Sequence, residues 1–370
     1  MSARFLTVVL ERAFNMRDGF GREIDYMRIS VIDSCNLNCY YCNPCDNNEH
    51  CHALNILSVK EVLCIVRAAT RLGIKHFRLT GGEPLLHPQL DEMVLQIKKI
   101  PGVSSVSLTT NAVLLVQHAK WLKEAGIDSI NVSLDTIDAS EYERITKKPL
   151  LEEVKHGINA AIECGIRVKI NVVLTPQTDV VALTRYVAKK GTDIRFIEMM
   201  PVGEGHTNGV EPYKKVIGTL SKLYGEPCRI NTEKTKEINS GNDKRKIPDN
   251  GPAEYYIFPE LGIRVGLIQA IHGKFCDTCN RIRVTADGRL MPCLGSSVTM
   301  DLVPDSCEFT DDLEKDFVIV QALKAAIKAK PRCHNFNDNA VTYTKTTETK
   351  TTEIEAAEVN AARNMSRIGG

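Results

Sequence analysis

The sequence lacks a net charge, a long hydrophobic run and an export signal. Its 47 Lys and Arg against 46 Asp and Glu leave a formal charge of +1 over 370 residues. No overall field draws such a chain to nucleic acid or an anionic membrane, so any anion it binds must be held by local groups of Arg and Lys. The leader MSARFLTVVLERAFNM has only a short apolar stretch, broken by Glu11 and Arg12, with no small-residue cleavage site behind it. It reads as neither signal peptide nor membrane span. Without export a disulfide scaffold has no setting, because the cytosol keeps thiols reduced. There is no internal repeat beyond a shared strand–helix period. The expectation is a cytoplasmic protein with no nucleic-acid and no membrane partner.

What the chain does have is 13 cysteines, several of them clustered, on an ordinary globular background of 43% apolar and 25% charged residues. Clustered thiols in such a setting read as metal ligands. The length allows one large domain and a smaller one, since single cores stop growing at roughly 250 to 300 residues.

Short strands alternate with helix-length segments. Strands are expected at Met27 to Asp33, His76 to Thr80, Ser105 to Thr110, Ser129 to Asp135, Arg167 to Thr175 and Ile194 to Met200. Most read as near-continuously apolar, as parallel strands covered on both faces do. Ser58 with Glu61 forms a capping-box pattern ahead of VLCIVRAATRLG, and Gly73 stops that helix. LDEMVLQIKKI and HAKWLKEAG repeat the unit. Six such units favour a parallel sheet with right-handed crossovers, doubly wound or curled toward a barrel. Either way ligands gather at the carboxyl ends of the strands. After about Gly203 the pattern changes to a polar, Gly/Pro-punctuated linker, then the strand-like EYYIFP and RVGLIQA, a second thiol set in FCDTCNRIRVTADGRLMPC, and a polar tail.

The run DSCNLNCYYCNP sets Cys35, Cys39 and Cys42 at spacings of three and two, expected just past the first strand. Three thiols so placed can wrap one face of a 4Fe-4S cube and leave its fourth iron without a protein ligand. A zinc site is the alternative, with His50, His52, Cys45 or Cys51 completing a closed four-coordinate shell. This run resembles the signature of radical S-adenosylmethionine (radical SAM) enzymes, and LTGGEPLLHP, Leu79 to Pro88, is similar to that superfamily's Gly-Gly-Glu-Pro segment. By itself that segment reads as a strand-to-helix turn.

The second set, Cys276-x2-Cys279-x13-Cys293, again offers three ligands, or else a zinc knuckle. It encloses Arg281 and Arg283, which in an extended segment point to one side as a paired anion clamp. The two thiol sets, their order and the terminal Gly-Gly resemble the GTP 3',8-cyclase family over nearly the whole chain. That resemblance implies an α/β fold: an incomplete (β/α)6-type TIM barrel of the radical SAM kind, with a C-terminal extension carrying a second iron–sulfur cluster. The expected divisions are a leader (1–17), the partial barrel (18–230), the cluster-binding region (231–333) and the tail (334–370).

The same resemblance implies two 4Fe-4S clusters, one on Cys35, Cys39 and Cys42 and one on Cys276, Cys279 and Cys293. It places S-adenosylmethionine at Tyr41, Gly82, Ser133 and Met200. GTP would meet Arg28, Arg78, Thr109, Lys169, Arg195, Arg281, Ile282, Arg283, Gly369 and Gly370, with Arg28, Arg281 and Arg283 taking catalytic roles. The implied reaction starts with a 5'-deoxyadenosyl radical that takes hydrogen from ribose C3' of GTP. The carbon radical then attacks C8, giving (8S)-3',8-cyclo-7,8-dihydroguanosine 5'-triphosphate, the first step of molybdenum cofactor biosynthesis. A low-potential electron donor, a downstream cyclic pyranopterin monophosphate synthase and a monomer or homodimer are implied too. Ser34, His76 and Ala112 depart from the family's usual arginine, lysine and glycine. A peptide-modifying radical enzyme and a two-zinc binding module are the rival readings.

Overall fold

The computed structural model describes residues 16–42, 55–202, 209–230, 251–296, 298–302, 312–334 and 336. Six strands follow in chain order: β1 (Tyr26–Ser30), β2 (His76–Thr80), β3 (Ser105–Thr110), β4 (Ser129–Ser133), β5 (Val168–Leu174) and β6 (Asp193–Glu198). Between them run α1 (Val59–Arg71), α2 (Leu90–Lys98), α3 (Leu115–Glu124), α4 (Ala139–Thr146), α5 (Leu151–Glu163) and α6 (Val180–Lys189). The capping box at α1 is present: Glu61 N–H donates to Ser58 Oγ at 3.3 Å, and Ser58 N–H donates to Glu61 Oε2 at 2.8 Å. Gly73, just past that helix, takes a φ of 85° that a side chain would oppose.

The C-terminal third supplies α7 (Gly218–Tyr224), β7 (Cys228–Ile230), β8 (Glu254–Ile257), β9 (Arg264–Ile268), β10 (Arg281–Val284), β11 (Arg289–Met291), β12 (Met300–Asp301) and α8 (Asp312–Lys328). The sheet order is β12-β11-β10-β1-β2-β3-β4-β5-β6-β9-β8-β7, so it curls without closing. β10 pairs parallel with β1, and β9 parallel with β6. The last third therefore extends the barrel at both edges instead of standing apart from it.

The strands are not apolar on both faces. Met27, Ile29, Phe77, Leu79, Val106, Leu108, Ile130, Val132, Ile170 and Phe196 belong to the fully buried core, whereas Arg28, Arg78, Ser107, Asn131, Lys169 and Arg195 line a cavity on the other face. This alternation of apolar and polar side chains replaces the near-continuous apolar character expected of parallel strands, because the inner face here holds a polar cavity. β1 also ends at Ser30, so Cys35 follows it at five residues rather than lying just beyond its end.

Candidate active site

At the carboxyl end of β1 and β2 the loop with the first cysteines crosses the Gly-Gly turn at close range. A Cβ on Gly82 would lie 2.1 Å from the Ser34 carbonyl oxygen, so only glycine admits the loop. Backbone bonds fix the crossing: Gly82 N–H donates to Ile32 O and Glu83 N–H to Ser34 O, both at 2.8 Å. Ser34 thus serves through its backbone, whatever its side chain. The buried Glu83 carboxylate accepts from Leu85 N–H at 3.0 Å, Thr110 Oγ1 at 2.7 Å and Asn111 N–H at 2.7 Å. Burial nonetheless pushes its pKa up to about 7 against those three bonds. Asn111 in turn donates to Asn36 Oδ1 at 2.7 Å and reaches Cys35 Sγ at 3.8 Å. Tyr41 donates its hydroxyl to Asp135 Oδ2 at 2.5 Å, and burial raises the Asp135 carboxyl to about 6.

Burial raises the thiols of Cys35 and Cys42 to about 11 and about 12, and that of Cys39 further, with repulsion from neighbouring acidic groups adding to each. The protein alone does not stabilise three thiolates here. A cationic iron centre would, which fits the donor set to a cluster. Among the described residues no three His, Cys, Asp or Glu side chains converge on a point where one metal ion could sit.

Below this mouth the cavity wall carries cations. Arg28 stands opposite Arg78 on one side and Arg283 on the other. Burial and then the Arg283 charge hold the Arg28 guanidinium well below its ordinary pKa, and burial and then Arg281 bring Arg283 down to about 10. Arg78 Nε donates to Tyr26 Oη at 2.5 Å and Nη1 to Leu108 O at 3.2 Å. Arg195 Nε donates to Asn171 Oδ1 at 2.9 Å, while its Nη2 and the Asn131 Oδ1 are buried with no hydrogen-bond partner. Both residues line a cavity of about 780 Å³. His76, where a lysine would add a cation, bonds Ser105 Oγ through Nδ1 at 2.8 Å, and burial lowers its pKa.

The second thiol set closes the opposite end. Cys276 and Cys279 precede β10, and Arg281 pairs with Tyr26 at the start of β1. Cys293 follows β11, which runs back antiparallel to β10. Both sets line the same cavity, one beyond each end of β1. At ~3.3 Å per residue that strand alone separates them by about 13 Å.

Every site residue expected from the sequence lines this cavity except three. Ile282 lies between Arg281 and Arg283, and strand alternation turns its side chain into the hydrophobic core. Gly369 and Gly370 lie outside the described residues, as do Cys45, Cys51, His50 and His52. Tyr26, Asn131 and Asp135 line the cavity without having been singled out in the sequence. The first two share the inward period of Arg28 and the register of Lys169, a signal that was available.

Residues 29–182 match the Radical SAM superfamily, and residues 192–336 match Molybdenum Cofactor Synthesis C. GTP 3',8-cyclase of Clostridium perfringens (strain SM101 / Type A) is 36% identical over 324 residues, covering 87% of this chain and 95% of that one. The enzyme of the same name from Petrotoga mobilis is 35% identical over 331 residues, covering 88% and 96%. The chain belongs to the GTP 3',8-cyclase family. It is thereby a radical SAM protein, and members of this class use S-adenosylmethionine and 4Fe-4S clusters. Streptococcus suis SuiB bound to S-adenosylmethionine is similar in structure, with a TM-score of 0.53 at 14% identity, covering 81% of this chain and 65% of that one. SuiB bound to precursor peptide SuiA gives 0.54 at 15% identity, covering 86% and 67%. At such identity the likeness concerns the fold and not the peptide.

Proposed function

We propose that this chain cyclises GTP to (8S)-3',8-cyclo-7,8-dihydroguanosine 5'-triphosphate, the first step of molybdenum cofactor biosynthesis. The observation that carries the reading is one cavity with a cysteine triad at each end and cations between. Cys35, Cys39 and Cys42 would hold one 4Fe-4S cluster beside S-adenosylmethionine at Tyr41, Gly82, Ser133 and Met200. Cys276, Cys279 and Cys293 would hold the other. When bound, the clusters and S-adenosylmethionine supply reductive radical chemistry.

The chain's own residues bind and orient the nucleotide. A triphosphate carries several negative charges, and Arg28, Arg78, Lys169, Arg195, Arg281 and Arg283 surround the space it would fill. Asn131 adds an amide to the same wall. Thr109 lies beside Arg78, whose Nη1 reaches its Oγ1 at 3.4 Å. Holding C3' and C8 in line is the main contribution of such a wall, because a radical formed out of place reacts with its nearest neighbour. Gly369 and Gly370 would bring a terminal carboxylate to the arginines.

No helix among the described residues is long and apolar enough to cross a membrane. A cytoplasmic enzyme, monomeric or homodimeric, drawing electrons from a low-potential donor and passing product to cyclic pyranopterin monophosphate synthase, completes the proposal. The test is an anaerobic incubation with GTP, S-adenosylmethionine and a strong reductant, followed by mass analysis. The expected result is 5'-deoxyadenosine together with a product isomeric with GTP. Formation of 5'-deoxyadenosine with another substrate, and only background with GTP, would overturn the assignment.

A further inference from the structure

Lys330 lies two residues past α8 and is 3% exposed, a depth at which an ammonium group needs strong partners. Its Nζ donates to the carbonyl of Arg281 at 2.7 Å and to that of Pro292 at 2.9 Å. Arg281 follows Cys279 by two residues and Pro292 immediately precedes Cys293. One ammonium therefore ties together the two arms of the hairpin that carry two of the three thiols. Lys330 lines the same cavity as Cys276, Cys279 and Cys293.

Arg22 braces the same region differently. Its Nη1 donates to Cys276 O at 2.7 Å and Arg332 O at 2.9 Å, and its Nη2 to Pro331 O at 2.6 Å. Its charge is met by Asp18, 2.5 Å from Nε. The Arg22 charge is thus neutralised by a carboxylate, whereas the Lys330 bonds are to carbonyls on the two thiol-bearing arms.

We propose that Lys330 is a positioning residue for the second cluster: it clamps the Cys279 and Cys293 arms through the Arg281 and Pro292 carbonyls and fixes a buried positive charge beside them, raising the cluster's reduction potential. This rests on the reading of Cys276, Cys279 and Cys293 as cluster ligands. Reduction adds negative charge to a cluster. A fixed, buried cation beside the ligand arms therefore favours the reduced form. The effect is one of charge and position.

The test uses the full chain, anaerobically reconstituted, with Cys35→Ala so that only the second cluster titrates. Iron content and the midpoint potential, followed by electron paramagnetic resonance, are compared with and without Lys330→Met. The expected result is retained iron and reduction about tenfold less favourable, a potential lower by ~59 mV for one electron. Lys330→Arg should recover most of the shift, and Lys330→Gln, which keeps a donor but no charge, should recover little. In the Cys276→Ala background, which keeps only the first cluster, Lys330→Met should leave the potential unchanged. An unchanged second potential in an iron-replete Lys330→Met or Lys330→Gln protein would overturn the proposal. So would failure of both to hold iron while Lys330→Arg loads fully and titrates as wild type, since the residue would then be a brace only. If the parent Cys35→Ala protein holds no 4Fe-4S cluster, the ligand assignment itself fails, which is a distinct result.

Discussion

Ala112 presses its carbonyl oxygen against the α-carbon of Gly157, close enough that a Cβ on Gly157 would stand 2.3 Å from that oxygen. Ala112 itself has a φ of 66°, one of two described non-glycine residues in the left-handed region. The turn is held by Thr110 Oγ1, which accepts from Ala112 N–H at 3.0 Å, and by Asn111 Oδ1, which accepts from Val113 N–H at 3.0 Å. It presents Asn111 to the first cysteine loop. Its strained residue is the one that departs from the family's glycine.

Gly157→Ala should therefore destabilise the protein by at least about 2 kcal/mol in urea unfolding, because the clash is with backbone and cannot be relieved by a rotamer. Ala112→Gly should be neutral or stabilising by up to about 1 kcal/mol, since relief of the left-handed strain outweighs the added unfolded-state freedom. A tolerated Gly157→Ala would mean that α5 can shift away from this turn.

Iron analysis separates the two thiol sets. Reconstituted protein should carry about eight irons per chain, and Cys35→Ala or Cys276→Ala should each lose about half. The losses should differ in consequence: cleavage of S-adenosylmethionine disappears in Cys35→Ala and becomes uncoupled from GTP in Cys276→Ala. Zinc in place of iron in an inactive anaerobic preparation would contradict both expectations.

The crowding of Arg28, Arg78, Arg281 and Arg283 makes triphosphate binding measurable without turnover. GTP at about a hundred times its Kd should raise stability by about 2.7 kcal/mol in thermal unfolding. Arg281→Ala and Arg283→Ala should lose most of that gain and form no cyclised product, while still binding S-adenosylmethionine. Turnover within a few-fold of wild type in both variants would return these arginines to a structural role.

Glu83 gives the fold a pH dependence of known sign. Its folded pKa of about 7 lies above the ordinary 4.5, so between these values the folded state keeps a proton that the unfolded chain has released. Stability should fall as pH rises through that window, by about 3 kcal/mol in total, and level off above it. Glu83→Gln should remove this slope while losing about 1 kcal/mol at low pH, since its amide meets N–H groups on both sides. A slope equal to that of wild type in the variant would place the titration elsewhere.

Much of the site was legible because its signals are local. Cysteines at fixed spacing, a Gly-Gly turn and two arginines one residue apart carry their geometry in a few residues, and the structure puts them on one cavity. Arg28, Arg78, Lys169 and Arg195 are each ambiguous alone, and only the resemblance united them before the sheet did. The alternation in YMRIS, HFRLT and VKINVVL was visible, yet Val and Ile on the outer face drew the reading toward strands apolar on both faces. Asp135 gave only its position two residues past β4 as a hint. The contacts of Lys330 gave none, because they depend on residues 38 and 49 positions away.

The pairing of β1 with β10 sets a clock on the ribosome. Asp25, at the edge of β1, bonds Asn280 across a separation of 255 residues, so the earliest strand waits for one of the latest. At 5 to 20 residues per second that wait lasts roughly 13 to 50 s. During it the nascent chain displays Cys35, Cys39 and Cys42 without the wall that will enclose them. The ligands of the first site are thus made well before those of the second, and before the strand that completes their wall.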